Sequence, residues 1–346
     1  MPHHEPWQLE GTAAELYERA QGKLMRRREF IGFASSALAL AAPWRAAGQA
    51  ASRTYRIGFL SPGELAPVNP VFDELRRHGF VEGRNLTIDR RDRNAGYQQL
   101  AAAALELVRT SPDAIVTAGP EATRAAQAAT TSVPIVAITD DMVGEGLARS
   151  LAQPGGNTTG ISLLASDLDG KRQELLIEFT SGAPRISVLA DTRTTGPQQL
   201  QALAEAARSR GVILLVHRVE NGEEIGPAID MAKAEAAAAL NVLASPLLHA
   251  YRHVIIRKTA ALHIPDIYQW PETAHEGGLL GYGPRLDDIM GQLGRQIAEI
   301  LGGASPANHP IYQPTKLALA INLKTAKEIG LTIASSLVVS ADDVIE

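Results

Sequence analysis

The sequence predicts an α/β protein with two doubly wound lobes, each built on a mostly parallel sheet. Short apolar segments alternate with helical segments along the chain, and turn residues such as Gly, Pro and Ser follow most of the apolar segments. A sharp turn at residues 154–157 (PGGN) separates two such series. A chain of 346 residues is long enough for two lobes that each bury a core.

The first series begins with the apolar segment 55–60 (YRIGFL), which stops at the turn Ser61-Pro62-Gly63. We predict further strands at 86–90, 114–118 and 134–139, with helices at 70–78, 97–109 and 121–130. Short apolar strands that alternate with helices are typical of parallel sheets covered on both faces.

The second series repeats this pattern after the sharp turn. Strands are predicted at 160–163, 186–190, 212–216, 239–244, 266–268, 279–282 and 317–322, and helices at 171–180, 198–211, 225–238, 286–301 and 323–330. Ligands of such sheets bind beyond the carboxyl ends of the strands. A cleft between the lobes would therefore face both sets of strand-end loops.

Composition and charge exclude several classes of function. The formal net charge is −5, with 45% hydrophobic and 21% charged residues, so there is no overall attraction to nucleic acid or anionic lipid. The chain has no cysteine. This excludes disulfides, cysteine-ligated metals, a thiol nucleophile and lipid attachment through an N-terminal cysteine.

The N-terminal segment has the pattern of an export signal. Arginines in residues 26–31 (RRREFI) precede an apolar run at 30–42 and small residues at 46–50 (AAGQA). The run is shorter than the ~20 residues needed to cross a bilayer. We interpret residues 1–50 as an extension plus a twin-arginine-like signal starting at Met25, with the Sec route open, and expect a periplasmic protein. The alternative is an amphipathic helix that begins with arginines.

Enzymatic alternatives lack their motifs. A doubly wound nucleotide-binding enzyme needs Gly-x-Gly-x-x-Gly after its first strand, which Ser61-Pro62-Gly63 does not supply, and Gly144-Glu145-Gly146 lacks the third glycine. His249 and His253 have the i, i+4 spacing of a metal pair, but without an evident third ligand a solvated helix face is favoured. We therefore expect no catalytic residue, cofactor or metal. A ligand-sensing domain of a signalling system is a further alternative, which the export signal argues against.

Five strings carry a family resemblance. They are RREFI at 27–31, PGGNTTG at 154–160, GGLLGYGP at 277–284, QPTK at 313–316 and INLKTAK at 321–327. Together they resemble the ABC transporter substrate-binding family that includes tryptophan- and tyrosine-binding members. The similarity runs from the signal to the end of the sequence, and the last two strings are its most specific part.

The resemblance implies the type I periplasmic-binding fold, in which three segments cross between two lobes. It places residues 54–141 and 278–319 in lobe 1 and residues 143–271 and 321–346 in lobe 2, with crossings near Met142, 272–277 and Ala320. It also implies closure of the lobes over a small-molecule ligand, such as an amino acid or a related compound, and delivery to an ABC permease in the inner membrane. We expect a monomer that binds no nucleic acid and is not inserted stably in the membrane once the signal is removed.

Two positions depart from the family pattern. Met142 follows the acidic pair where the family often has proline, and Asp191-Thr192 stands where the family often has Asn-Pro. Both positions are at strand ends that would face the cleft, so the identity of the ligand stays open.

Candidate ligand-binding residues of the first lobe follow its strands. Ser61 could donate its hydroxyl to a ligand carboxylate or cap its own turn, and Gly119 could let backbone approach a ligand or simply form a turn. Asp140 and Asp141 end the fourth strand, where one of them could pair with a ligand ammonium group. The alternative for that pair is capping of the segment near Met142.

The second lobe offers a similar set. Asp191 ends a strand in a place that matches Asp140, and Ser245 ends another. Tyr268 could stack on a ligand ring and donate its hydroxyl, or close the lobe core. We expect Tyr282 to overlook the cleft and Trp270 to be a third aromatic residue nearby, with a hinge anchor as the alternative for Trp270.

Overall fold

The computed structural model describes residues 53–63, 69–91, 96–180 and 184–346. The predicted extension and export signal, residues 1–50 with Met25, lies outside the described residues. Within the described part of the chain, no helix combines the length and apolar character needed to cross a membrane.

The first sheet consists of parallel strands. They are β1 (Tyr55–Leu60), β2 (Leu86–Arg91), β3 (Ala114–Ala118), β4 (Ile135–Thr139) and β5 (Thr158–Ser162). They lie in the order β2-β1-β3-β4-β5, with every pairing parallel. This is the doubly wound arrangement that the strand–helix alternation predicts.

The second sheet is larger and mixed. Its strands are β6 (Arg185–Asp191), β7 (Ile213–Val219), β8 (Leu240–Val242), β9 (Asp266–Tyr268), β10 (Leu280–Gly283), β11 (Ala318–Asn322) and β12 (Asp343–Ile345). The order is β12-β11-β10-β9-β8-β6-β7, and only the described β10–β11 pairing is antiparallel. Two parallel-dominated sheets confirm the predicted fold class.

Helices connect the strands and cover the sheets. They are α1 (Asn69–Arg77), α2 (Gly96–Arg109), α3 (Pro120–Ala129), α4 (Ala165–Phe179), α5 (Pro197–Ser209), α6 (Ile225–Ala234), α7 (Pro246–Ala250), α8 (Arg252–Ala261), α9 (Glu272–His275), α10 (Leu286–Leu301), α11 (Leu323–Glu328) and α12 (Ser335–Val339). α6 ends four residues before the predicted 225–238, because Ala236 adopts a left-handed conformation with φ of 58°.

Both faces of the central strands of each sheet are buried, whereas the edge strand β7 is partly exposed. In the first lobe, α1 and α10 cover one face around Phe59, and α2 and α3 cover the other around Ile115. In the second lobe, one core surrounds Ile267 and another surrounds Leu189. Apolar burial on both faces is what holds a parallel sheet together, since its strands have no solvated side.

Three segments cross between the lobes. The first lies at residues 163–164, between β5 in the first sheet and α4, which packs on the second. The second lies at 284–285, between β10 in the second sheet and α10 on the first. The third is 313–317, which runs from Tyr312, bridged to Ile161 of β5, to β11.

The predicted lobe boundaries differ from this strand pairing. Thr158–Ser162 belongs to the first sheet, although residues 143–271 were predicted in lobe 2. Leu280–Gly283 belongs to the second sheet, although residues 278–319 were predicted in lobe 1. Two crossings accordingly lie at 163–164 and 284–285 and not near Met142 and 272–277, whereas the third, at 313–317, lies close to Ala320.

Glycines explain where these two strands pair. A Cβ atom on Gly160 would lie 1.8 Å from the carbonyl oxygen of Ala137, so only glycine lets β5 lie this close to β4. In β10, a Cβ on Gly281 would lie 2.4 Å from the Trp270 carbonyl oxygen, and one on Gly283 would lie 2.1 Å from that of Gln269. The glycine strings that carry the family resemblance thus fix the pairing of β5 and β10.

Candidate functional site

A cleft lies between the lobes, beyond the carboxyl ends of strands from both sheets. Its empty space is about 780 Å³, a figure that includes the part open to solvent. The lining residues are Ser61, Ala118, Gly119, Pro120, Ile138, Thr139, Asp140, Glu145, Leu163, Ala165, Thr194, Gln199, Ala244, Ser245, Pro246, His249, Gln269, Trp270, Leu286 and Met290.

Apolar side chains form much of the wall. Trp270 follows β9 of the second sheet but packs into the core of the first lobe beside Leu286 and Met290. The ring of His249 meets the Trp270 ring in an edge arrangement with centroids 6.3 Å apart. Trp270 therefore joins the two lobes at the cleft, and His249 faces the cleft rather than lying on a solvated helix face.

Ser61, Gly119, Asp140 and Ser245 line the cleft, as the strand-end rule predicts for these four. Ser61 is 1% exposed, and its Oγ accepts a 3.4 Å hydrogen bond from the amide of Gly63. Asp140 is half-buried, and its Oδ1 accepts a 3.0 Å bond from the Ser166 amide near the start of α4. Its Oδ2 has no hydrogen bond within the described residues.

The Ser245 hydroxyl is already engaged. Its Oγ accepts from the amides of Leu247 and Leu248, which caps α7, and donates a 2.6 Å bond to Asp191. We infer that Ser245 shapes the wall more than it offers hydrogen bonds.

Asp191 does not line the cleft but bonds across the lobe boundary. It is fully buried and accepts hydrogen bonds from the Tyr97 hydroxyl, from Ser245 and from the amide of Arg193. Tyr97 belongs to α2 of the first lobe and packs against the cores of both lobes. Burial and the charge of Asp191 raise the pKa of Tyr97 well above its usual value, so its hydroxyl stays a donor.

Asp141 caps its own turn. Its Oδ1 accepts from the amides of Val143 at 3.2 Å and Gly144 at 2.9 Å, and it is not among the residues that line the cleft. The capping alternative therefore describes Asp141, whereas Asp140 lines the cleft and its pairing with a ligand ammonium group stays a prediction.

Tyr268 and Tyr282 also lie outside the cleft lining. The Tyr268 hydroxyl donates a 2.6 Å bond to Asp266 inside the second lobe, and Tyr268 is 4% exposed. Tyr282 packs against the second-lobe core, because β10 belongs to that sheet. Both rings thus complete a lobe core, which was the alternative given for Tyr268.

Thr139, Glu145 and Thr194 line the cleft but were not predicted. Each has a buried side-chain oxygen without a hydrogen-bond partner among the described residues, namely Thr139 Oγ1, Glu145 Oε2 and Thr194 Oγ1. Thr139 could have been found, since it ends β4 directly before Asp140. The two glycines that flank Glu145 could have drawn attention to this residue, but in the sequence their pattern indicates only an incomplete nucleotide-binding motif.

Glu145 has an unusual electrostatic environment. Burial, and then the nearby charge of Asp140, raise the pKa of Glu145 to about 7. The Gly144-Glu145-Gly146 turn that holds it follows the Asp141 cap, and Gly146 has a φ of 71°. A neutral carboxyl can therefore exist in this cleft near neutral pH.

A buried ion pair connects the cleft wall to the crossings. Arg172 and Asp169 are both fully buried and 2.5 Å apart, and Gln199, which lines the cleft, donates to the other oxygen of Asp169. Arg172 also donates to the carbonyl oxygens of Ala165 at 2.6 Å and Tyr282 at 3.0 Å, which lie beside two crossings.

The lobes meet closely at two glycines. A Cβ on Gly119 would lie 2.9 Å from Cγ of Pro246, and one on Gly63 would lie 2.6 Å from Cβ of Ala250. Gly119 has a φ of 83°, which also disfavours other residues. The structure thus has its lobes closed, with both contributing to one cleft.

The cleft combines an apolar wall with acidic and hydroxyl groups. No Lys or Arg is present among its described lining residues, whereas Asp140 and Glu145 both are. The N-terminus of α3, at Gly119 and Pro120, also reaches the cleft and favours negative ligand groups. This arrangement can bind a small molecule that carries an ammonium group, an apolar part and a compact anionic group.

Comparison with a family model identifies the sequence pattern. Residues 59–345 match the model of the family described as ABC transporter substrate binding protein. A curated relative, the tyrosine-binding protein of Clostridioides difficile (strain R20291), is 25% identical over 263 residues, which are 74% of each chain.

Solved structures share the fold. A conserved domain protein from Vibrio cholerae has a TM-score of 0.76 at 22% identity, and the match covers 84% of this chain and 100% of that one. An ABC domain from Streptococcus pneumonia in complex with L-Trp has a TM-score of 0.72 at 21% identity, with the same coverage.

Proposed function

Since the chain belongs to the ABC transporter substrate-binding protein family, we propose that it is exported to the periplasm and delivers a small molecule to an ABC permease without converting it. The observation that carries this proposal is the cleft, which takes wall residues from both lobes, so that a bound molecule would hold them together. The basic and apolar pattern at residues 26–42 supports export.

The ligand we propose is an aromatic amino acid. One relative is named for binding tyrosine, and one structural neighbour holds L-Trp. In this chain, Trp270 and Met290 offer an apolar surface to a side chain, and Asp140 offers a carboxylate to an ammonium group. The Ser61 hydroxyl and the first amides of α3, next to Gly119, would receive the carboxylate.

Closure of the lobes follows from the distribution of these groups. Asp140, Ser61 and Gly119 belong to the first lobe, and Thr194, Gln199 and His249, which line the same cleft, belong to the second. A ligand that touches both sets binds the closed form more tightly than the open form, and only this difference in affinity can drive closure.

The test is calorimetry on the purified protein with L-tryptophan, L-tyrosine and L-phenylalanine, and with L-leucine and D-glucose as comparisons. We expect one site for at least one aromatic amino acid, and mass spectrometry should recover it unchanged after incubation. Binding of D-glucose but of no amino acid would contradict the proposed ligand. Conversion of the bound compound into a product would contradict the transport role.

A further inference from the structure

Glu145 is a cleft residue to which the proposed roles assign no function. It lies on the turn between β4 and β5, and its Oε2 atom is buried without a partner among the described residues. The turn is fixed by the Asp141 cap and by a 2.9 Å bond from the Glu145 amide to the Asp141 carbonyl oxygen. The backbone thus holds this carboxyl at the cleft wall.

A second unpartnered group stands beside it. Thr139 is 2% exposed, lines the cleft, and has no hydrogen bond to its Oγ1 among the described residues. The Thr139 hydroxyl nevertheless lies close enough to the Glu145 carboxyl to lower its pKa, so the two side chains form one polar patch at the cleft wall.

The charged groups around Glu145 come from three elements. Asp140 directly follows β4 and Asp141 lies on the same turn. On α3, Arg124 donates to the carbonyl oxygen of Glu145 at 3.3 Å and to the carboxylate of Glu121 at 2.9 Å. His249 of α7 lines the same cleft. Arg124 is thus shared with Glu121, and no cation within the described residues pairs with the Glu145 carboxyl.

We infer that Glu145 selects for ligands with an ammonium group, because it is an ionised acceptor when that group is present and must bind a proton when it is absent. This inference rests on the proposed function and adds a specificity-determining residue to it. With an ammonium ligand, the carboxylate and Asp140 share the positive charge. With a ligand that lacks the ammonium group, the closed cleft takes up one proton from solvent to give the neutral acid.

The two closed complexes differ in bound protons. Burial and Asp140 raise the pKa of Glu145 to about 7 without a ligand cation, and a cation would lower that pKa. Below pH 7 the complex with a ligand that lacks the ammonium group holds up to one more proton than the complex with an ammonium ligand. Its affinity relative to the ammonium complex therefore falls as the pH rises toward 7, by up to tenfold per pH unit, and levels off above 7.

The experiment uses L-tryptophan and indole-3-propionate, which share the ring and the carboxylate but differ in the ammonium group. Calorimetry at pH 6 and pH 8 in two buffers of different ionisation enthalpy gives the affinity and the proton change for each compound. Both titrations start from the same free protein, so their difference reports only the closed complexes. For the wild type we expect a preference for L-tryptophan that grows with pH, and a difference of roughly one proton at pH 6.

Glu145→Gln should remove the proton difference and reduce the preference for L-tryptophan by roughly tenfold or more at pH 8. Glu205→Gln, an exposed change on α5, is the control and should behave as the wild type. If Glu145→Gln keeps the proton difference, the proton belongs to another group such as His249, and the inference is overturned. Equal affinities of the wild type for the two compounds would also overturn it.

If the proposed function itself is wrong, calorimetry gives a different result from the one expected when only the Glu145 inference is wrong. If neither L-tryptophan nor L-tyrosine gives heat with the wild type, the proposed ligand class is contradicted, and the assigned role of Glu145 falls with it. If L-tryptophan binds but the Glu145→Gln and wild-type proteins show the same preference, the proposed function stands and only the Glu145 inference fails.

Discussion

The two lobes use their carboxylates differently. In the first lobe, Asp140 has one backbone partner and Glu145 has an oxygen with none, and both line the cleft. In the second lobe, Asp169 pairs with Arg172 and Gln199, and Asp191 takes bonds from Tyr97, Ser245 and Arg193. The difference suggests a division of roles, in which the first lobe recognises the ligand and the second lobe's acids hold the protein in shape.

The largest expected effect is on stability, in the second lobe. Arg172→Met removes the cation that is fully buried beside Asp169, and it leaves the Asp169 charge in a site without water. We expect the free energy of unfolding to fall by about 3–5 kcal/mol, measured by urea denaturation. Lys171→Met, an exposed neighbour on the same helix, should change it by less than about 1 kcal/mol. Equal losses for the two variants would remove Arg172 from its structural role.

The next effect should be on affinity, in the first lobe. Asp140→Asn keeps an acceptor for the Ser166 amide but removes the charge that faces the cleft. We expect the affinity for L-tryptophan to fall by roughly 10- to 100-fold at pH 7.5, as for loss of a charge-assisted hydrogen bond.

The adjacent Asp141 is the matched control. Asp141→Asn also keeps its acceptor toward Val143 and Gly144, and the residue does not line the cleft. We expect the affinity of the Asp141→Asn variant for L-tryptophan to stay within about twofold of the wild-type value. If Asp141→Asn were the more damaging change, the assignment of recognition to Asp140 would be wrong.

A smaller effect should come from the bond between the lobes. Tyr97→Phe removes the hydroxyl that joins α2 to Asp191, while Asp191 keeps its bonds from Ser245 and Arg193. We expect the affinity to fall by roughly 3- to 10-fold because the closed form loses a hydrogen bond that the open form lacks. Calorimetry measures this loss, with the partly exposed Tyr312→Phe as the control. An unchanged affinity would mean that this bond does not favour closure.

The sequence was sufficient for the fold class and for most strands and long helices, although α8 and β12 were not predicted. Apolar strands that end at Gly, Pro or Ser turns place β1, β3 and β4 almost to the residue. It was not sufficient for the sheet that each strand joins. β5 and β10 are short apolar strands like the others, and their partners depend on backbone approach at Gly160 and Gly281.

The sequence could predict only those candidate site residues that line the cleft because they follow the end of a strand. Asp140 and Ser61 line the cleft because they follow the carboxyl ends of β4 and β1. Asp191 meets the same rule, but Tyr97, 94 residues earlier, covers it from the other lobe. A hydrogen bond across that sequence separation has no local pattern, so neither the bond nor the burial of Asp191 could be predicted.

Arg172 has a consequence for how the lobes would separate. Its guanidinium donates hydrogen bonds to the backbone carbonyls of Ala165 and Tyr282, next to two of the three crossings. We therefore expect the lobes to rotate about an axis close to Arg172. Atoms close to this axis would move little, and atoms at the far rim of the cleft would move in proportion to their distance from it. A slight twist there would open the entrance widely, so the rate of solute entry would depend on residues that never touch the solute.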